Sequence, residues 1–121
     1  MKTKVAWMPK AQWPVLIGYI SNKNVFNKEM VSIGLTHEFT DYAQVLHVRG
    51  DEVGNRVYIC VNREAVNKRT LNEALATYVH EAVHAKQIIQ KVIKEGAFAD
   101  ETEAYTVDWI TNWLFDEYDK E

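Results

Sequence analysis

The stretch TLNEALATYVHEAVHAKQIIQKVIK, residues 70–94, decides the fold predicted for the second half of the chain. It opens with Thr70 and Glu73, which have the spacing of a capping box, an arrangement that satisfies free backbone N–H groups at a helix start. Apolar residues then recur at helical spacing as far as about Lys94, and Gly96 follows as a stop signal. The sequence therefore predicts one long helix that begins after Thr70.

This predicted helix has an apolar side and a polar side. When residues are placed about 100° apart around the axis, His80 and His84 fall together on the polar side. The residues gathered on the other side are apolar: Leu71, Leu75, Tyr78, Val79, Ala82, Ile89 and Ile93. We therefore expect the apolar side to pack in the core and the two histidines to face a cleft that holds water.

The first half of the chain predicts a small sheet and one short helix. VLIGYI, residues 15–20, is typical of a strand, and the polar residues 21–24 can cap a helix over 25–33 that ends at Gly34. Residues 42–61 read as a hairpin of two strands. We therefore predict an α+β fold, a small sheet of three or so strands packed on the histidine helix and a C-terminal helix.

A last helix is predicted from Asp100 to about Tyr118, and it should pack antiparallel to the long helix because the connection is short. Its apolar stripe contains Val107, Ile110, Leu114 and Tyr118. Glu103 lies in line with this stripe, and a carboxylate placed there needs a partner. Two histidines and a cation on the neighbouring helix would be such a partner. Two alternatives stay open: a capping-box pair of Asp100 with Glu103, and Glu101 in place of Glu103.

The segment His80-Glu81-Ala82-Val83-His84 has the H-E-x-x-H spacing. Histidines four residues apart on a helix can reach one ion, and zinc favours imidazole nitrogen and carboxylate oxygen. His80, His84 and Glu103 would supply three ligands and leave a position for water. Glu81 would act as the base that takes the proton from this water. This chemistry is metal-assisted hydrolysis of a peptide bond, and the substrate would be a peptide or protein.

Composition restricts the alternatives. The 121 residues suit a single domain over residues 1–121, and the net charge of −3 from 14 basic and 17 acidic residues leaves no basic stripe for nucleic acid. Cys60 is the only cysteine of the sequence, so an internal disulfide is excluded. No stretch approaches the length of a membrane span. We expect a cytoplasmic protein, and the sequence indicates no particular oligomeric state.

HEAVHAKQ followed by DETEAY resembles the gluzincin branch of the zincin metallopeptidases, in which a glutamate follows the H-E-x-x-H motif. The chain is also similar to small phage and prophage proteins that pair a HEAVHxxQ motif with a downstream EAY and an N-terminal stretch like PVLIGYISNKNVFNKEM. The resemblance implies a minimal zincin fold, Zn²⁺ held by His80, His84 and Glu103, Glu81 as the base, and a phage- or prophage-encoded peptidase in the host cytoplasm.

Two other functions stay open. Larger zincins supply a tyrosine or histidine to stabilise the oxyanion, and no residue of this sequence can be assigned that role. There is also no second lobe to form a deep substrate cleft. These departures favour a zinc-binding structural or interaction protein that cuts nothing. The third reading is a small α+β interaction module without a metal.

Overall fold

A mixed sheet forms the centre of the structure, which is a computed structural model that describes residues 3–9, 14–50, 54–93 and 100–121, with the backbone alone for 100–102. Within these residues the strands are β1 (Ala6–Trp7), β2 (Leu16–Ile20), β3 (Ala43–Gly50) and β4 (Gly54–Val61). Their order is β1-β2-β4-β3. β2 and β4 pair in parallel, whereas β1 and β3 are antiparallel to their neighbours. The predicted α+β class and the hairpin are confirmed, with four strands in place of three or so.

Four helices accompany the sheet in the described part of the chain: α1 (Lys23–Ser32), α2 (Arg63–Val66), α3 (Leu71–Val92) and α4 (Asp100–Asp119). The predicted capping box of Thr70 and Glu73 is present at the start of α3. Asn22 caps α1, and Asn62 caps the short α2, each through its side-chain oxygen. The predicted stop of α3 at Gly96 lies outside the described residues.

The helices cover both faces of the sheet. On one face α1 packs through Phe26 and Met30 against Tyr58 and Cys60 of β4. The opposite face of the sheet packs against α2, α3 and α4, and the strand residues there are Ile17, Tyr19, Val57, Ile59 and Val61. Alternate residues of β4 therefore enter two different cores, which explains why its second part, residues 57–61, is apolar without interruption.

α3 and α4 are antiparallel, as predicted, because the start of α3 meets the end of α4. The rings of Tyr78 and Tyr118 lie 5.4 Å apart, while Lys86 contacts Glu103. No helix in the described ranges has both the length and the apolar character needed to cross a membrane.

The buried side of α3 differs from the predicted apolar side. Leu71 and Val79 are 60% and 39% exposed, although both were expected in the core. The buried residues of α3 are Ala74, Tyr78, Glu81, Ala82, Ala85, Lys86 and Ile89. The reason is that α3 packs against the sheet as well as against α4, so a wider and partly polar side of the helix is covered.

Candidate functional site

The two histidines of the H-E-x-x-H segment lie side by side on the exposed side of α3, as their spacing predicts. The Nε2 atoms of His80 and His84 are 3.1 Å apart, and the two rings meet edge to face. Two nitrogens that each lie about 2.05 Å from a tetrahedral zinc ion are separated by roughly 3.3 Å. The imidazoles therefore already have the separation that two ligands of one zinc ion require.

Gln87 sets the orientation of His84. The Oε1 atom of Gln87 lies 3.1 Å from Nδ1 of His84, so in the neutral ring Nδ1–H donates to the amide oxygen. The Nε2 atom of that tautomer carries a lone pair directed at His80. A second hydrogen bond of this kind is what orients histidine ligands in metal sites. His84 is therefore held ready either to accept a proton from His80 or to bind a cation.

Glu81 occupies the buried side of the same turn. The residue is 5% exposed, and its Oε2 atom has no hydrogen-bond partner among the described residues. Burial raises the pKa of the Glu81 carboxyl above its ordinary value, while the electrostatic effect of the neighbouring His80 and His84 opposes this rise. A buried carboxyl with a free oxygen and a raised pKa has the properties of a proton acceptor poised nearer to neutral pH.

Glu103 does not join the histidines. Its Oε1 atom accepts from Nζ of Lys86 at 2.7 Å, and Lys86 is itself buried. Lys86 comes two residues after His84, which places it about 200° further around the helix axis. Because it is Lys86 that faces α4, the histidines point away from that helix. The partner that we expected for a carboxylate in this position is thus an ammonium group and not a metal ion.

The remaining carboxylates considered for this site precede Glu103. Asp100 is the first residue of α4, in agreement with the predicted start of the last helix. The side chains of Asp100 and Glu101 lie outside the described residues, so the alternatives of a capping pair and of Glu101 as ligand stay predictions. His47, on β3, has its own partner, because its Nε2 lies 3.0 Å from Oδ1 of Asn55.

Comparisons with protein-family models, with curated proteins and with solved structures return no match. In the part of the chain that the structure describes, no group of three or more His, Cys, Asp or Glu side chains could hold a metal ion. The resemblance to zincins and to small phage proteins is therefore wrong. The physical reason is that Glu103 lies on the side of α3 opposite the histidines, where it contacts Lys86 and cannot be the third ligand. The imidazole nitrogens of His80 and His84 can fill two of the four coordination positions of a zinc ion.

Sequence reasoning missed two residues that shape this region. Lys86 was not recognised as the partner of Glu103, although its position among Ala82, Ala85 and Ile89 is a buried one by helical spacing. Gln87 was not recognised as an orienting group, although its spacing of three from His84 is the signal that identifies it. Both roles follow from helical geometry once the sheet-facing side of α3 is known.

Proposed function

We propose that this protein is a zinc-dependent hydrolase in which His80 and His84 hold the ion, Glu81 is the base, and the substrate is a peptide bond. The observation that carries the proposal is the 3.1 Å separation of the two Nε2 atoms beside a buried carboxylate without a full set of partners. Neither feature alone indicates hydrolysis, since histidine pairs also share protons. Together they bring two nitrogen donors and a proton acceptor to one turn of α3.

Each residue has a distinct part in this proposal. His80 and His84 would hold the ion, and Gln87 orients the ring of His84 through its Nδ1 atom. A bound divalent ion supplies a water molecule whose pKa lies near neutrality. Glu81 would accept a proton through its Oε2 atom and would later donate a proton to the leaving amine. Burial raises the pKa of Glu81 above its ordinary value, which makes the carboxylate a stronger proton acceptor than that of an exposed glutamate.

Zinc binding is the first test. Metal-free protein is titrated with ZnCl₂ by calorimetry, and we expect one zinc per chain for the wild type. His80→Ala and His84→Ala should each abolish this binding, because a single helical imidazole is a weak zinc site. His47→Ala is the matched control, since His47 is exposed and bonded to Asn55 on β3. Equal zinc binding by wild type and both α3 variants would refute the site.

Hydrolysis is the second test. Zinc-loaded protein is incubated with an unfolded, alkylated protein substrate, and cleavage products are identified by mass spectrometry. We expect Glu81→Gln to keep the bound zinc and to lose turnover by at least about a hundredfold, the usual contribution of a general base. Turnover by Glu81→Gln close to that of the wild type would remove Glu81 from the mechanism.

A second function is favoured by the Lys86–Glu103 contact. Because the Glu103 carboxylate is held by an ammonium group at 2.7 Å, the histidine pair can also bind zinc without catalysis, as a contact for a partner. In that case zinc binding survives in Glu81→Gln and the wild type has no peptidase activity. The same two experiments therefore separate the hydrolase from the zinc-binding interaction protein.

A further inference from the structure

A cavity of about 740 Å³ lies at one end of the sheet, away from the histidine pair. Its walls come from the segments that directly follow two strands: residues 21–23 after β2 and residues 62–64 after β4. A third wall is the segment 37–41, which leads into β3. The cavity thus sits beyond the carboxyl ends of β2 and β4, the two strands that pair in parallel.

The chain leaves these two parallel strands in opposite directions. After β2 it enters α1, which packs on one face of the sheet, and after β4 it enters α2, which packs on the other face. Two neighbouring parallel strands whose helices diverge in this way leave a crevice between them. In open sheets of parallel strands this crevice is where ligands bind. A volume of this size is also typical of small-molecule sites.

The lining of the cavity is polar and carries an excess of negative charge. Among its described lining residues are four carboxylates, those of Glu38, Asp41, Glu64 and Glu121, and two side chains that are always cationic, Lys23 and Arg63. The excess negative charge favours a cationic ligand over an anionic one.

Arg63 is already engaged and does not offset this charge. Its Nη1 atom contacts Oε2 of Glu121 at 3.2 Å and donates to the carbonyl of Tyr118, while its guanidinium lies 3.8 Å from the centre of the Tyr118 ring. Three carboxylates therefore remain against the single ammonium group of Lys23. In the described part of the chain none of the three has an ion-pair partner.

An unpaired hydroxyl on a buried residue adds a second indication of a ligand. Ser21 is 7% exposed and lines the cavity, and no described residue forms a hydrogen bond with its hydroxyl group. Buried polar groups are normally paired, so this hydroxyl is available to a bound molecule. Four asparagine side chains, which both donate and accept hydrogen bonds, line the same space: Asn22, Asn27, Asn62 and Asn67.

We propose that this cavity is a binding site for a small organic cation, a molecule with protonated amines that Glu38, Asp41 and Glu64 neutralise. The site is separate from the proposed zinc site and shares no residue with it. A chain-like polyamine fits this description, because its ammonium groups pair with the carboxylates while its N–H groups reach the Ser21 hydroxyl and the side-chain oxygens of Asn27 and Asn67.

The test uses spermidine as the probe. Its binding to the full-length protein is measured by calorimetry, and the site is located from the amide signals of Ser21, Thr40 and Asn62 in ¹H–¹⁵N spectra. Triethylene glycol, a neutral chain of the same length, and inorganic phosphate are the comparison ligands. We expect spermidine to shift these three signals and the other two compounds to leave them unchanged.

Variants distinguish a built site from general attraction to an acidic protein. Asp41→Asn and Glu64→Gln should each weaken spermidine binding by about threefold, and the double variant by about tenfold. Asp116→Asn, which removes the same charge from an exposed position of α4, should leave the affinity unchanged. Equal weakening by Asp116→Asn, no shift of the three signals with spermidine, or a shift with phosphate alone would each overturn the proposal.

Discussion

Among single residues, Glu81 occupies a position that stability alone does not explain. It is 5% exposed, yet its Oε2 atom lacks a partner among the described residues. Leaving such a group unpaired costs about 1–3 kcal/mol of folding free energy. A methionine in its place would avoid that cost. The cost supports the proposal that this carboxyl is kept for its chemistry.

We expect Glu81→Gln to stabilise the metal-free protein by about 1 kcal/mol near pH 7, because glutamine carries no charge that must be buried. The gain should shrink near pH 4. The folded-state pKa of Glu81 is raised, so its protonated form contributes stability below its ordinary value of 4.5, and this stability is lost as the pH rises through the folded-state pKa.

Guanidinium unfolding of both proteins in the presence of a chelator, at about pH 4 and about pH 7, measures this effect. A glutamine variant that is less stable than the wild type at neutral pH would contradict it. So would an equal gain at both pH values, because it would not depend on ionisation of Glu81.

Cys60 should be unreactive in the folded protein. It lies fully buried on β4, and burial raises the pKa of its thiol from 9.0 to about 12. The thiolate is the reactive form, so a rise of three pKa units lowers its population about a thousandfold at pH 8. We expect Ellman's reagent to react with Cys60 at pH 8 only as the protein unfolds, and at once in guanidinium. Rapid reaction of the native protein would contradict the packing of β4 against α1.

Spacing along one helix predicts contacts between side chains of that helix well. It predicts contacts between two helices less well. His80 and His84 come together because residues four apart lie on one side of a helix, whatever the helix packs against. The place of Glu103 depends on which side of α3 faces α4, and a buried lysine decides that. A wheel drawn from apolar residues alone leaves Lys86 out, and the expected Glu103 contact with the histidines therefore fails.

Between elements, the contact of α3 with α4 depends on the Lys86–Glu103 ion pair. Lys86 has a side chain 7% exposed, whereas that of Glu103 is 43% exposed. We expect Glu103→Gln to lower the free energy of unfolding by about 1 kcal/mol, because it leaves a buried ammonium group with a weaker partner. Zinc affinity should not change, since the histidines are on the other side of α3. Thermal unfolding and zinc titration of the same sample measure both quantities.

Two controls support this comparison. Asp116→Asn on the exposed side of α4 should leave stability within about 0.5 kcal/mol of the wild type. The double variant Lys86→Met with Glu103→Leu should recover most of the lost stability, because apolar side chains can replace a buried ion pair. Loss of zinc binding in Glu103→Gln without loss of stability would instead place Glu103 among the ligands.

Elements whose signals are local could be predicted from the sequence, and those that depend on distant partners could not. The capping box fixes the start of α3, and Gly34, with a φ of 76°, follows the end of α1. The parallel pairing of β2 with β4 has no local signal, because paired residues such as Leu16 and Arg56 are 40 positions apart in the sequence. The cavity at their carboxyl ends depends on that pairing, so no motif could have revealed it.

At the scale of the whole molecule, the two proposed sites lie in different parts of the fold. The histidine pair is on the exposed side of α3, and the cavity lies at the carboxyl ends of β2 and β4. The two proposed sites have no residue in common. A buried contact between Tyr19 of β2 and Tyr78 of α3, with the two hydroxyls 2.7 Å apart, ties the parts of the fold that carry them. We therefore expect one cooperative unfolding transition to report on both sites.

Because the sites share no residue, their ligands should act independently. Zinc at a hundred times its dissociation constant should raise the free energy of unfolding by about 2.7 kcal/mol, and spermidine at the same multiple should do likewise. Each effect should vanish only with its own variant: His84→Ala removes the zinc effect, and Asp41→Asn with Glu64→Gln diminishes the spermidine effect. Denaturant unfolding of the wild type and of these variants, with and without each ligand, measures the two stabilising effects. A change in zinc affinity in the cavity variant would show that the two sites are coupled through the fold.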